Sequence, residues 1–333
     1  MMSAAQRALR NDIVIGCILL ALAVAAPFVV DSRFAITQTI VFFIWAMVTV
    51  QWNLVFGYAG IFSLAQMVIF AFGAYMTAVI GLELGWSVWA AAPVAAVGAV
   101  GFSLILGLAC LRLTGAYVAL LTLAVAQIAY VLIRTETLPL GGQSGMSRFG
   151  DLGFRPMLGA DWYIGNYYVG LTLLTISIIF SIIVIRGPLG LAFQALRDSP
   201  GLARARGISR LKYQLWVFGA TAFFTGLAGG FYAAHFRIVG PQILSLSLLL
   251  FMLAMVVIGG RGRVWGALIG TGVLLLTDEL LREVAGDYRN LVLGLLIALF
   301  VMFMPQGIAG ALSAGVDKVK NRLTRKRETP SSH

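Results

Sequence analysis

FAITQTIVFFIWAMVTVQWNLVFGYAGIFSLAQMVIFAFGAYMTAVIGL, residues 34–82, runs for 49 residues without an Asp, Glu, Lys or Arg. A helix needs roughly 20 apolar residues to cross the hydrocarbon core of a bilayer. The stretch is therefore too long for one span and about right for two. It divides at Gly57-Tyr58-Ala59-Gly60, where two glycines loosen a helix. Its apolar residues are continuous and do not alternate, which excludes a transmembrane β-barrel. This stretch sets the expected fold class as all-α, a polytopic transmembrane helix bundle.

Working outward, further runs free of these charges fall at 13–30, 84–111, 113–133, 162–185, 213–234, 238–260, 264–277 and 290–316. With the divided run they predict about ten helices. The run at 264–277 is the shortest, and either extends to Leu281 or re-enters. Residues 13–30 form a longer apolar run than a signal peptide requires, with no clear cleavage site before Asp31, so they read as a first span. The composition agrees: 60% of the 333 residues are hydrophobic, 11% are charged and mean hydropathy is +0.94. A soluble domain carries about 25% charged residues. Cys17 and Cys110 both lie in apolar runs and read as small core residues, with no disulfide or metal site.

The net charge of +11 on a soluble protein would suggest nucleic acid. Here the excess sits in loops, and the positive-inside rule gives it another meaning. Arg7 and Arg10, then Arg112, the loop with Arg186, Arg197, Arg204, Arg206, Arg210 and Lys212, the Arg261/Arg263 pair and the tail from Lys318 all fall on one side of a ten-span chain. Asp31, Glu83 and the acidic stretch Asp278 to Asp287 fall on the other. Both termini are therefore expected to be cytoplasmic. The organisation reads as a cytoplasmic segment 1–12, a transmembrane domain 13–312 containing a cytoplasmic loop 186–213, and a basic cytoplasmic tail 313–333.

What the spans lack narrows the function. Ionisable residues inside the membrane mark ion and proton relays, and here all of them fall at or near span ends. No lysine follows a glycine, so the nucleotide-binding P-loop is absent. Neither HExxH nor GxSxG occurs, and two histidines leave little for acid–base catalysis. The acidic cluster Asp278-Glu279 with Arg282-Glu283 reads more simply as helix-end ion pairing than as a catalytic group. The chain reads as a conductor of solute, not an enzyme, and uphill movement requires energy from another subunit.

Irregular backbone at membrane depth is tolerated only where it is buried in protein or lines a watery path. The segment from Asn53 through Gly57, Tyr58, Gly60, Ser63 and Gln66 to Gly73-Ala-Tyr75 has loosened backbone flanked by donors and acceptors. It reads either as a turn with a small-residue packing face or as pathway lining. Asn53, Tyr58, Ser63, Gln66 and Gln127 are the candidate polar path residues. Gly259-Gly-Arg-Gly-Arg263 reads as a cytoplasmic turn or a partner contact, and Gly226, Gly229 and Gly230 as packing positions. In the basic loop, Leu189, Phe193 and Leu196 recur at helical spacing. Asp198-Ser199-Pro200 then starts a second helix, with Ser199 as cap, that ends at Gly207. That pair either lies on anionic headgroups or docks in a partner's groove.

Taken in order, these segments resemble the permease subunits of branched-chain amino-acid ABC transporters. The likeness rests on Asn53-Leu-Val-Phe-Gly-Tyr-Ala-Gly60, Ser63-Leu64, Phe72-Gly-Ala-Tyr75, Gly115-Ala-Tyr117 leading into Thr122-Leu-Ala124, and Gly141-Gly-Gln-Ser-Gly145. It continues in Ala195-Leu-Arg-Asp198 to Ala205-Arg-Gly207-Ile208, Gly226-Leu-Ala-Gly229, Val257-Ile-Gly-Gly260 with Trp265-Gly266, and Pro305-Gln-Gly307. It covers about residues 35 to 310. The resemblance implies an ABC importer permease in a bacterial inner membrane, pairing with a second, homologous permease of a different chain. Two cytoplasmic ATPase subunits would drive it and a periplasmic binding protein would deliver substrate, with no cofactor or metal. Ala195, Arg197, Asp198, Arg204 and Gly207 would then belong to the ATPase-coupling loop. Family members often have Gln where this chain has Ile61, and Gly-His or Gly-Gln where it has Ala65-Gln66. Branched-chain amino acids are the implied substrates, with urea, short amides or another small organic solute as the alternative. A stand-alone channel is the rival of a different class.

Overall fold

A computed structural model of the chain describes residues 4–30, 32–113, 115–137, 139–284, 288–303 and 307–310. The architecture is helical. Helices α1 (Ala4–Val29), α2 (Arg33–Asn53), α3 (Gln66–Glu83), α4 (Val88–Cys110) and α5 (Ala116–Arg134) come first. A short helix α6 (Phe154–Leu158) follows, then α7 (Trp162–Arg186), the paired short helices α8 (Pro188–Asp198) and α9 (Pro200–Ala205), α10 (Arg210–Phe236), α11 (Leu246–Gly259), α12 (Val264–Val284) and α13 (Arg289–Phe303). Among the described residues, eight helices are long and apolar enough to cross a membrane, and two shorter apolar ones accompany them at 246–259 and 291–300.

The ten apolar segments match the ten expected, but their lengths differ. The 264–277 run, the shortest by charge spacing, extends into the 21-residue α12, so extension wins over re-entry. The 238–260 run holds only the 14-residue α11. Its first residues form a strand and a 3₁₀ turn instead, because Gly240-Pro241 interrupts the backbone. The tail 313–333 lies outside the described residues.

The opening stretch is split by a turn of π-helix. Leu54–Tyr58 continues α2 with wider spacing, the Ala59 N–H donating to the Leu54 carbonyl at 3.0 Å and Ile61 N–H to Val55 at 3.0 Å. Gly60 then adopts φ +70°, a left-handed conformation that suits glycine, and α3 begins at Gln66. The expected break is thus a wound turn followed by a short extended segment.

Helix α2 is the centre of the bundle. Ile40, Ile44, Met47, Val48 and Trp52 are fully buried there, among α7, α10 and α12. Helix α10 packs against α3 and α4 through its glycines. Gly226 lies against Gly73 and against Ala96 and Ala99, Gly229 against the Phe70 carbonyl, and Gly230 against Ala92. A Cβ at any of these would collide, so the packing reading of the α10 glycines holds. Gly259, Gly266 and Gly270 bring α11 and α12 together in the same way.

Helix α1 is peripheral and largely exposed along its apolar length. Cys17 is exposed on it, contrary to the expected core position, because a helix at the rim of a membrane bundle turns most of its surface outward. Cys110 is buried as expected. The helix is held at both ends. Tyr167 donates to the Ala23 carbonyl at 2.7 Å, while Asp12 accepts from Arg186 and from Trp265 Nε1, the latter at 3.0 Å.

Loops gather at two ends. One collects residues 57–61, Leu113, the α8–α9 segment, Arg210, the 261–263 turn and Asp12. The opposite end holds the 134–161 loop, tied by a two-residue antiparallel pairing of Met146 with Val239 and Ser147 with Ile238. Arg289 grips Asp278 there through two bonds of 2.6 and 2.7 Å, and Glu279 accepts from Gln38 at 3.2 Å. Asp278 is thus held in an ion pair that joins α12 to α13, and Glu279 pairs with Arg282 within α12.

Candidate coupling and translocation sites

The end that holds α8 and α9 is built on a clamp. Asn53, the last residue of α2, donates from Nδ2 to the Arg263 carbonyl at 2.8 Å and accepts from the Gly262 N–H at 2.9 Å. Its amide thus closes a ring with the turn between α11 and α12. Gly57 stands so close that a Cβ would meet both Asn53 Oδ1 and the Gly262 backbone. Arg197, on the last turn of α8, donates to the Gly57 carbonyl at 2.8 Å, and its aliphatic stem packs on Gly60. One short stretch therefore ties the α8–α9 segment to the base of the central helix.

Hydrogen bonds continue from this clamp into α3, α5, α7, α10 and α12. Trp52 Nε1 donates to the Ser63 carbonyl at 2.8 Å, and the Leu64 N–H donates to Thr122 of α5 at 2.9 Å. Gln66 opens α3 with its amide closed on α10: Oε1 accepts from Thr225 at 2.8 Å and Nε2 reaches Thr221 at 3.4 Å. Gln51 donates to Ser177 at 2.8 Å and Ser181 at 3.1 Å on α7, and Thr49 pairs with Thr271 of α12 at 2.8 Å.

Placed on this frame, the sequence-predicted residues separate. Asn53 belongs to the clamp. Tyr58 is buried among Leu54, Val55, Cys110 and Phe193. Ser63 is buried, its hydroxyl accepting from the Ala65 N–H at 3.2 Å. Gln66 is buried and paired. Only Gln127 keeps a buried polar atom, Nε2, without a partner among the described residues. Tyr75 Oη is in the same condition. Tyr75 lies nine residues into α3 and Gln127 eleven into α5. The two helices touch. Two unpaired groups thus stand well inside neighbouring spans.

The coupling residues lie together. The Ala195 carbonyl accepts from the Ser199 N–H at 3.0 Å where α8 ends. Arg197 is paired with Asp198 at 2.8 Å, and that hydrogen bond and charge hold the exposed Asp198 carboxyl below its usual range. Arg204 is exposed and donates to the Pro200 carbonyl at 3.2 Å. Gly207 has φ +81° and ends the turn after α9, with Ile208 N–H reaching back to Ala203 at 3.0 Å. Ser199 sits at the expected N-cap, but its side chain makes no capping bond. Its backbone carbonyl, which accepts from Ala203 N–H at 3.0 Å, serves instead.

Residue-by-residue reading missed Thr221, Thr225, Ser177 and Ser181. Their i, i+4 spacing was the available signal, since it puts two hydroxyls on one helix face. The glutamine each pair shares, Gln66 for the threonines and Gln51 for the serines, was not available from spacing.

Such a bundle, with one end of its central helix clamped to a pair of short helices, defines a multi-pass membrane protein. Residues 34–303 match the family described as the branched-chain amino acid transport system / permease component. The chain belongs to that family. It is 31% identical over 315 residues to the high-affinity branched-chain amino acid transport system permease protein LivM of Escherichia coli (strain K12), covering 87% of this chain and 73% of that one. The protein of the same name from Salmonella typhimurium (strain LT2) is 30% identical over 312 residues, with the same coverage. No solved structure matches. The chain is a transport subunit, not an enzyme.

Proposed function

We propose that this chain carries branched-chain amino acids inward as one permease of an ATP-driven importer, in an inner membrane with both termini cytoplasmic. Two ATPase subunits, a second homologous permease and a periplasmic binding protein complete it. The observation that carries this reading is the Arg197 bond to Gly57. It gives an exposed pair of helices a direct mechanical hold on the central span, which a stand-alone channel does not need. The clustering of Arg112, Arg197, Arg204, Arg206, Arg210, Arg261 and Arg263 near one end supports calling that end cytoplasmic.

ATP binding would draw the ATPases together and move α8 and α9, whose Leu191 and Leu202 are exposed for docking. Through Arg197 the displacement reaches the π-turn, and through Trp52, Leu64 and Gln66 it reaches α5, α3 and α10. Rocking of these spans against the partner permease then alternates access to the path. Tyr75 and Gln127 line that path, because an unpaired buried donor costs about 1–3 kcal/mol unless a passing solute or water meets it. Asn53, Ser63 and Gln66 act in transmission more than in contact with solute.

Co-purification from mild detergent followed by reconstitution tests the reading. An ATPase and a second permease should come down with the wild-type chain, and leucine, isoleucine or valine uptake should require ATP and binding protein. Capture of this chain alone, with solute flux independent of ATP, would establish the channel instead. Saturable uptake of urea or short amides with no response to leucine would replace the substrate class.

A further inference from the structure

Beside the clamp lies an open cavity of about 250 Å³ whose lining includes Gly60, Gly115, Arg197, Arg204, Arg210 and Gln214. It is smaller than the roughly 300–1,000 Å³ of pockets that hold a whole drug-sized ligand, so it suits one small group. Its chemistry is one-sided. Arg197 shares its charge with Asp198, but among the described residues Arg204 and Arg210 have no acidic partner. Arg210 is aimed by its bond to the Leu113 carbonyl, at 3.1 Å, toward the start of α5. The 19-residue α5 begins in this cavity, and Gly115 at its N-cap offers no side chain to meet the first N–H groups. A helix end of this kind favours an anion.

A second observation is independent of the helix end. Gln214 is 97% buried, being 3% exposed, and its Nε2 has no hydrogen-bond partner among the described residues. A buried amide donor left unpaired in an otherwise well-satisfied region calls for an acceptor from outside the chain. The cavity it lines supplies cations and backbone donors but no carboxylate.

We infer that this cavity binds a phosphate group, held by Arg204, Arg210, the α5 N-terminus and Gln214, between the coupling helices and the first turn of α5. Its position just beyond the ends of the spans is headgroup depth, so the group arrives either on an anionic phospholipid or as free phosphate. Occupancy would tie α9 to α5 and so set how far the coupling segment swings. The inference rests on the proposed function in calling this end cytoplasmic and the α8–α9 segment a coupling element, and it does not depend on the substrate.

The test is thermal unfolding of the full-length protein with two variants, Gln214→Leu and Arg204→Gln. Inorganic phosphate is titrated in neutral detergent against chloride and acetate at matched ionic strength, and nanodiscs of phosphatidylcholine are compared with discs containing phosphatidylglycerol. A saturable rise in melting temperature with phosphate, lost in both variants, identifies free phosphate. A rise only in phosphatidylglycerol discs, again lost in both variants, identifies the lipid. If the site were merely an empty notch, Gln214→Leu would melt at or above wild type and all three salts would act alike, which overturns the proposal. An equal response to acetate also overturns it, in favour of a carboxylate from a partner. So does no response to phosphate and phosphatidylglycerol alike.

Discussion

The clamp at Asn53–Gly57–Arg197 and the mid-span pair Tyr75/Gln127 are both polar groups at membrane depth or its edge, and they are treated in opposite ways. In the clamp, both ends of the Asn53 amide are bonded, Arg197 meets both a carbonyl and a carboxylate, and Gly57 leaves no room for a methyl. At mid-span, Tyr75 Oη and Gln127 Nε2 are buried and unpaired. Fully satisfied polar networks rigidify, whereas a partly satisfied one costs stability wherever nothing completes it. On the proposed function the contrast separates transmission from passage: a rigid link conveys motion, and a path must leave hydrogen-bonding capacity for what travels along it.

Substitutions can break that contrast or sharpen it. The largest effect is expected at Gly57→Ala, where the added methyl displaces Asn53 and the Gly262 backbone. Overpacking of about 1–3 kcal/mol joins the loss of two part-buried hydrogen bonds of about 0.5–1.5 kcal/mol each. Detergent melting should fall well below that of wild type, and a wild-type melting curve would show that the clamp is not tight. Asn53→Leu should follow at about 1–3 kcal/mol, since it removes two part-buried hydrogen bonds, to the Gly262 N–H and the Arg263 carbonyl.

Arg197→Gln should divide the two readouts. ATP-dependent uptake is expected to fall about tenfold or more, within the 1–3 kcal/mol typical of coupling between sites, while stability drops by only about 1 kcal/mol. Equal losses in both would make Arg197 a structural residue. Tyr75→Phe and Gln127→Leu should leave melting unchanged or raise it by up to about 1 kcal/mol, because each removes an unpaired group. Their signature is a weaker apparent substrate affinity in uptake assays. Destabilisation as large as that of Asn53→Leu would mean that the groups have partners, and the distinction would collapse.

The smallest effect concerns Asp198. Its carboxyl is held below the ordinary value by Arg197, so the pair's contribution is present above that ordinary value and lost as pH falls through the lowered one. Wild type should therefore melt slightly above Asp198→Asn near neutral pH, the margin being small because the pair is exposed. The two melting curves should draw together as pH falls below the usual carboxylate range, and a difference that appeared only in acid would overturn the assignment.

Much of the fold was legible because membrane spans are written locally. Twenty apolar residues in a row need no partner to be recognised, and charge positions marked where each span ended. The reading failed where local and tertiary constraints diverge. The run 238–260 looked like a full span, yet Gly240-Pro241 and the pairing of Ile238-Val239 with Met146-Ser147 shortened it to α11. Cys17 looked internal because apolar surroundings in sequence do not distinguish lipid from protein. Asn53, Ser63 and Gln66 were recognisable as special polar residues, but not as paired ones.

The sequence by itself determined that this chain is a polytopic helical membrane protein and carries the ordered motifs of a permease family, since hydropathy and residue order are one-dimensional properties. Only the tertiary structure decided which polar residues are locked and which are free. Whether Gln66 meets Thr225, Arg197 meets Gly57, or Gln214 meets nothing depends on residues far apart in the chain, brought within 3 Å or kept apart by helix packing.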